Sequence, residues 1–340
     1  MQRVHGRSLM LVRFLARRVL SAALVVFVVA SATLLLSAAA QGDFVSAAFG
    51  LDVKRDTANR LRAAHGLDRP VTTIYTDWLA RAVRLDFGQS LMYQRPVAPL
   101  VAERVANTTV LAAAALVLAV SLGIPAGMLS GSRGGILSAC VRAVSALCLS
   151  VPPLIAAILL VALAAATGFA PVGGMTTLSA HPVGWIEWAH DLARHVPLPA
   201  VALALPFAAM LERVQAQAIA QALAEPCMLA ALARGLSARQ VLWRHAWRLG
   251  ARPVAAVGGL LAGTLLSGSF AVELVTSWPG LGRLTYDALV FRDFYLASGC
   301  ATAAALLLAA GVLASDLLVA AVDPRVALAP HAAHADRIRS

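Results

Sequence analysis

The chain has 340 residues, of which 60% are hydrophobic and only 13% charged, with a mean hydropathy of +0.77. A soluble domain carries roughly 25% charged residues, so this composition excludes an ordinary water-soluble fold and points to an all-α integral membrane protein. Basic residues outnumber acidic ones 28 to 17, a net charge of +11 that has to be explained within that frame.

Crossing about 30 Å of hydrocarbon takes about 20 helical residues. Apolar runs of that length lie near 14–37, 105–130, 136–168, 197–221, 254–276 and 297–321, which predicts about six transmembrane helices. Residues 1–13 form an N-terminal extension carrying Arg3, Arg7 and Arg13, and Arg17 and Arg18 follow in the first run. That run is long and lacks a convincing cleavage site, so it reads as a retained span rather than a leader. Residues 38–104 are the one sizeable polar connection. Short helices are expected there over 52–62 and 73–83, the second starting near Pro70 and offering Tyr75, Trp78 and Leu79 as an apolar face. This segment can cap the spans, dock an outside protein, or do both.

The third run is long enough to hold a kink, which Pro152-Pro153 would supply. The fourth closes on Glu212-Arg213, expected to pair locally. Residues 105–321 hold five of the runs and a polar loop over 222–252 with Arg234, Arg239, Arg244, Arg248 and Arg252; a tail follows over 322–340. Short loops rich in arginine face the cytoplasm. With about six spans, the N-terminus, the short second-to-third connection, the 222–252 loop and the C-terminus all fall on that side. The same rule disposes of a nucleic-acid reading of the basic charge.

The 222–252 loop has the most definite local chemistry. Residues 225–234 suit a helix, and Gly235 can take the left-handed conformation that ends one. Ser237 then starts a second helix as N-cap, with Gln240 completing a capping box and Leu236 and Val241 in the staple positions. A rigid elbow follows. Ala230, Ala231, Ala233 and Ala238 are small enough to seat closely in a partner's groove. Arg244, Arg248 and Arg252 share one helical face and Trp243 and Trp247 another, which suits a helix end lying at the lipid interface.

Other candidates are weaker. Glu273 and Asp316 sit toward span ends, where a hydrogen-bonded structural role is expected ahead of proton relay. Ser277-Trp278-Pro279-Gly280 reads as a turn, with its tryptophan anchored at the interface. His181, His190 and His195 share one connection but follow no ligand spacing. Cys140, Cys148, Cys227 and Cys300 form no Cys-x-x-Cys pair, so no metal site or disulfide framework is indicated. Ser130 and Ser145 lie among apolar residues without an ordered base, so they are expected to bond their own or a neighbouring helix. The lone lysine, Lys54, has no phosphate-binding glycine frame around it. No ATP site is therefore expected, nor any enzymatic one.

The order Glu225, Ala231, Gly235 and then Pro253 after a basic helix resembles the cytoplasmic loop of ABC-importer permeases, specifically the dipeptide/oligopeptide/nickel type. The resemblance starts at Met10-Leu11 and continues through Gly42-Asp43, Gly66-Leu67-Asp68-Arg69-Pro70, Asp86-Phe87-Gly88-Gln89-Ser90, Ser277-Trp278-Pro279-Gly280-Leu281-Gly282, Arg292-Asp293 and Asp323-Pro324-Arg325. It implies a type I importer permease fold in the cell inner membrane, forming half of a translocation path. It also implies a second homologous permease subunit, two ATPase subunits holding the ATP and Mg, and an extracytoplasmic substrate-binding protein. The implied solute is a di- or oligopeptide, with nickel or another small solute as the alternative. The implied coupling residues are Glu225, Ala230, Ala231, Ala233, Arg234, Gly235, Leu236, Ser237, Arg239 and Gln240. Glu273, Trp278, Pro279 and Gly280 would form an outer gate or structural corner. The chain departs from the family at Pro226 and Cys227, and at Leu229 and Leu232, where members often carry basic residues. An ion-coupled secondary transporter is the rival class. It would want charged or discontinuous helices at mid-membrane and an inverted repeat, and the sequence shows neither.

Overall fold

The computed structural model describes residues 2–40, 42–49, 55–64, 67–177 and 184–322. Lys54, Gly66, His181, Asp323-Pro324-Arg325 and the tail beyond 322 lie outside them, as do the side chains of Arg3, Arg7 and Arg13.

The described residues are mostly helical, and one isolated antiparallel bridge joins Gln89 and Pro96. In chain order the helices are α1 (Gln2–Ala39), α2 (Phe44–Phe49), α3 (Arg55–Ala64), α4 (Val71–Ala82), α5 (Val97–Ser132), α6 (Ile136–Ser150) and α7 (Pro153–Thr167). They continue with α8 (Trp185–His195), α9 (Pro197–Leu223), α10 (Pro226–Ala233), α11 (Ala238–Val241), a π-turn (Leu242–Ala246), α12 (Trp247–Val275), α13 (Leu281–Val290) and α14 (Phe294–Val322).

Four helices are long and apolar enough to cross a bilayer: α1 over Ala16–Ala39, α5, α9, and α14 over Phe294–Leu317. The run expected over 254–276 falls inside α12, an unbroken helix of 29 residues. The run over 136–168 differs from expectation. The Pro152-Pro153 kink is a 99° break between α6 and α7, too sharp for a single straight span. Pro153 disfavours helical backbone at the residue before it. Val151 and Pro152 are accordingly extended, at φ −95°, ψ 114° and φ −59°, ψ 146°. Each arm has 15 residues, about 22 Å of helix, so neither crosses 30 Å of hydrocarbon alone.

The chain divides into two compact units. Unit one holds residues up to Val110 and Ser277–Ala309. Its core joins Ala30 and Leu34 of α1, Ile74 and Trp78 of α4, Val97 and Leu100 of α5, Leu281 and Leu284 of α13, and Leu296 of α14. The apolar face expected on the second short helix is therefore real: Trp78 is buried and the Tyr75 hydroxyl meets Ser31 Oγ at 3.1 Å. The expected helix over 52–62 is described from Arg55, and α2 is an additional element that the sequence pattern did not announce.

Unit two holds Leu111–Thr276 and the end of the chain. Helix α9 is its hub, buried around most of its circumference from Leu198 to Ala222. Gly123, Gly127 and Gly131 of α5 face it. A Cβ built on them would stand 2.5 Å from Ala208 O, 2.6 Å from Glu212 O and 2.3 Å from Ala216 O. Three glycines four residues apart thus let two backbones touch, the usual device for packing helices where lipid removes the hydrophobic incentive.

Candidate functional site

The elbow between α9 and α12 is built by backbone rules. Glu225 is the extended N-cap of α10, exposed and without a side-chain cap bond, and Pro226 occupies the first turn, where no amide is needed. The helix ends in a Schellman turn: Leu236 N–H donates to Ala231 O at 3.3 Å and Gly235 N–H to Leu232 O at 2.9 Å. Gly235 sits at φ +86° with open space around it, so its need for glycine is conformational. Ser237 then caps α11 with a complete capping box. Gln240 N–H donates to Ser237 Oγ at 3.3 Å and Ser237 N–H to Gln240 Oε1 at 2.9 Å.

One side of the elbow is fastened down. Met228 and Ala231 are buried with Met128, Ile219, Ala222, Val241 and Ala246, and Leu236 packs against the same cluster. Ala231, grouped above with the docking alanines, therefore faces the chain's own core, because it falls one turn from Met228. Ala230, Ala233, Ala238, Arg234, Arg239 and Gln240 are exposed. So are two leucines, Leu229 at 67% and Leu232 at 44%. The outward face is thus apolar, alanines interleaved with two leucines, with arginines beside it.

The second arm is longer than expected. Helix α11 runs through the π-turn into α12 with helical backbone throughout (Leu242 φ −58°, ψ −54°; Trp247 φ −55°, ψ −44°). One continuous helical path therefore joins Ser237 to Val275. The extra residue in the π-turn shifts the register. Trp243 is exposed while Trp247 packs on the elbow cluster, so the two tryptophans do not share one environment. Arg244, Arg248 and Arg252 are all exposed.

Glu212 does not pair with Arg213. The carboxylate is buried and accepts the Ser130 hydroxyl from α5, whereas Arg213 is exposed. Its second oxygen, Oε2, has no partner among the described residues, and neither amide atom of the fully buried Gln215 has one. The Glu212 partner was not legible in the sequence because Ser130 lies 82 residues away on another helix.

The Ser277–Gly280 turn is a hydrogen-bonded corner of unit one built around a buried tryptophan. Trp278 is 0% exposed, which overturns the interfacial-anchor reading, and its indole N–H donates to Asn107 O at 3.1 Å. Pro279 O accepts from Arg104 at 3.2 Å and Asn107 at 2.8 Å, and Leu281 N–H donates to Thr108 Oγ1 at 2.7 Å. Gly280 is the extended N-cap of α13. Glu273 is fully buried in the last turn of α12, in unit two.

Other motifs carried in the resemblance also meet in unit one. Asp293 caps α14 through Leu296 N–H at 3.0 Å while its other oxygen accepts Ser90 Oγ at 2.6 Å and Met92 N–H at 3.1 Å. Asp43 caps α2 and is gripped by Arg62 of α3. The Arg62 hydrogen bond, with help from Ser46, holds the Asp43 carboxyl at about 2. Among the connection histidines, His195 Nδ1 lies 2.8 Å from Asp191 O. The amide and hydroxyl of Thr177 hold the Asp191 carboxyl below its ordinary value. No group of three metal-ligating side chains occurs among the described residues.

Comparison with known proteins closes the picture. Residues 123–328 match the family described as "binding-protein-dependent transport system inner membrane component". Residues 10–112 match its N-terminal membrane component. The chain is 29% identical over 317 residues to the oligopeptide transport system permease protein AppB of Bacillus subtilis, covering 92% of this chain and 98% of that one. It is 30% identical over 319 residues to a protein named as a peptide transport system permease in Brucella melitensis, covering 93% and 99%.

Proposed function

Because the chain belongs to the binding-protein-dependent transport system inner membrane component family, and so is a multi-pass permease subunit rather than an enzyme, we propose that it carries short peptides and is driven through its elbow. The names of its relatives support a peptide solute. In this reading it pairs with a second, similar permease. Two ATPase subunits that hold ATP and Mg seat the outward face of α10 and α11, and both termini and the elbow face the cytoplasm. ATPase closure pulls the elbow, and α12 moves with it.

One observation carries the coupling reading. The elbow is locked from both sides of Gly235 by a Schellman turn and a capping box, yet it presents Leu229, Ala230, Leu232 and Ala233 to the outside. A stiff apolar surface of alanines and leucines on a polar connection is suited to seating in a protein groove. Nickel or another small solute stands behind the peptide reading on the resemblance alone, while the two relatives are named as peptide permeases.

The test is Gly235→Val in the assembled transporter. A β-branched residue cannot hold φ +86° without strain, while nothing nearby clashes. ATP-driven peptide uptake is expected to fall more than about tenfold with insertion unchanged, and Gly235→Asn, which tolerates left-handed backbone, is expected to retain most of it. Wild-type uptake in the valine variant would refute the coupling role. External labelling of the exposed Cys227 in intact cells would refute the orientation.

A further inference from the structure

Beside the keystone Asp293 lies an arginine that the fold itself does not use. A cleft of about 70 Å³ in unit one is lined by Gly42, Asp43, Arg69, Ile74, Arg292 and Phe294 among others. The Arg292 guanidinium lies over Gly42, its Cζ and Nε each 3.4 Å from where a Cβ on that glycine would stand. The other charges are already matched: Asp43 with Arg62, and Arg69 with Asp77 at 2.8 Å. The Arg292 guanidinium makes no hydrogen bond or ion pair among the described residues. The half-buried cleft therefore carries one uncompensated positive charge.

The backbone beneath it is unusual as well. Helix α13 ends in a Schellman turn, with Asp293 N–H on Ala288 O at 2.8 Å and Arg292 N–H on Leu289 O at 3.3 Å. Arg292 occupies the left-handed position at φ 54°, the place that glycine takes at 235 in the elbow. An arginine there is strained where glycine would be relaxed. The side chain thus sits on a strained backbone without an internal hydrogen bond or ion pair among the described residues to account for it.

We propose that this cleft receives a carboxylate side chain of the extracytoplasmic substrate-binding protein, with Arg292 as the residue that pairs with it. The proposal rests on the further reading, implied by the resemblance, that such a protein docks on residues 38–104, which supply most of the cleft's lining. The planar guanidinium fork suits a carboxylate. The cavity holds one such group but is far smaller than the roughly 300–1,000 Å³ a whole ligand occupies, so the carboxylate is presented from a larger body.

The experiment uses the complete transporter in lipid vesicles and follows ATP-driven peptide uptake against concentration of its purified, peptide-loaded binding protein. Arg292→Gly relaxes the backbone, so insertion and thermal unfolding are expected to match or exceed wild type. The half-maximal binding-protein concentration is expected to rise about tenfold, as for loss of a partly desolvated charge pair. Arg292→Glu is expected to be worse, and rescued by an acidic-to-arginine change on the binding protein's docking face. An unchanged half-maximal concentration in Arg292→Gly overturns the proposal. So does a defect confined to peptides with a free, rather than amidated, C-terminus, which would assign the carboxylate to the solute. Absence of any binding-protein dependence in wild type would instead sink the docking reading on which the proposal stands.

Discussion

Ser130 on α5 donates its hydroxyl hydrogen to Oε1 of Glu212 on α9, inside unit two and one turn from the point where Gly127 touches the same helix. Both groups are buried, and Glu212 Oε2 has no partner among the described residues. Ser130→Ala would leave both oxygens of a buried carboxyl without a donor. Such orphaning costs about 1–3 kcal/mol, so the detergent-solubilised protein should melt several degrees lower. Glu212→Leu combined with Ser130→Ala removes both partners, and replacing both members of a buried hydrogen bond by apolar groups is often nearly neutral. Equal melting temperatures for Ser130→Ala and wild type would show that the hydrogen bond contributes nothing.

The glycine seam makes a sharper steric prediction. A Cβ at Gly127 would stand 2.6 Å from Glu212 O and 2.6 Å from Gln215 Cβ, and backbone cannot step aside as a side-chain tip can. Gly127→Ala should force α5 and α9 apart and cost about 1–3 kcal/mol, the usual range for overpacking. Gly134, a few residues on, has nothing within 4 Å. Gly134→Ala should stay within about 0.5 kcal/mol of wild type. Thermal unfolding of the two variants side by side decides it, and equal losses would refute the close-approach account.

How much of this was legible depends on the reach of the interaction. The elbow was readable because a Schellman turn and a capping box are rules between residues at most five apart, and Gly235, Ser237 and Gln240 carry them openly. The face of Ala231 was not, since burial there is set by Met128 and Ile219 from other helices. Pro152-Pro153 announced a break, but the 99° angle depends on the packing of α6 and α7 against α9. The Ser130–Glu212 bond, the burial of Trp278 and the free guanidinium of Arg292 are all relations across long stretches of chain. Motifs such as Arg292-Asp293 can mark importance in sequence, yet only the fold separates the aspartate that caps a helix from the arginine that caps nothing.

The Asp43–Arg62 pair gives a pH prediction whose sign follows from the direction of the shift. The Arg62 hydrogen bond lowers the Asp43 carboxyl from 3.8 to about 2 in the folded chain. Its contribution to stability is therefore fully present above about pH 4 and disappears as pH falls from there toward 2. Loss of charge on Asp43 releases α3 from the N-terminus of α2, so hydrogen exchange in Phe44–Phe49, corrected for intrinsic rates, should accelerate across that window and stay flat between pH 5 and 7. Asp43→Asn keeps the shape but not the charge. It should exchange faster at neutral pH and lose the acid-dependent step, because nothing remains to titrate. If the asparagine variant kept the wild-type pH profile, the ion pair would not be what fastens these two helices.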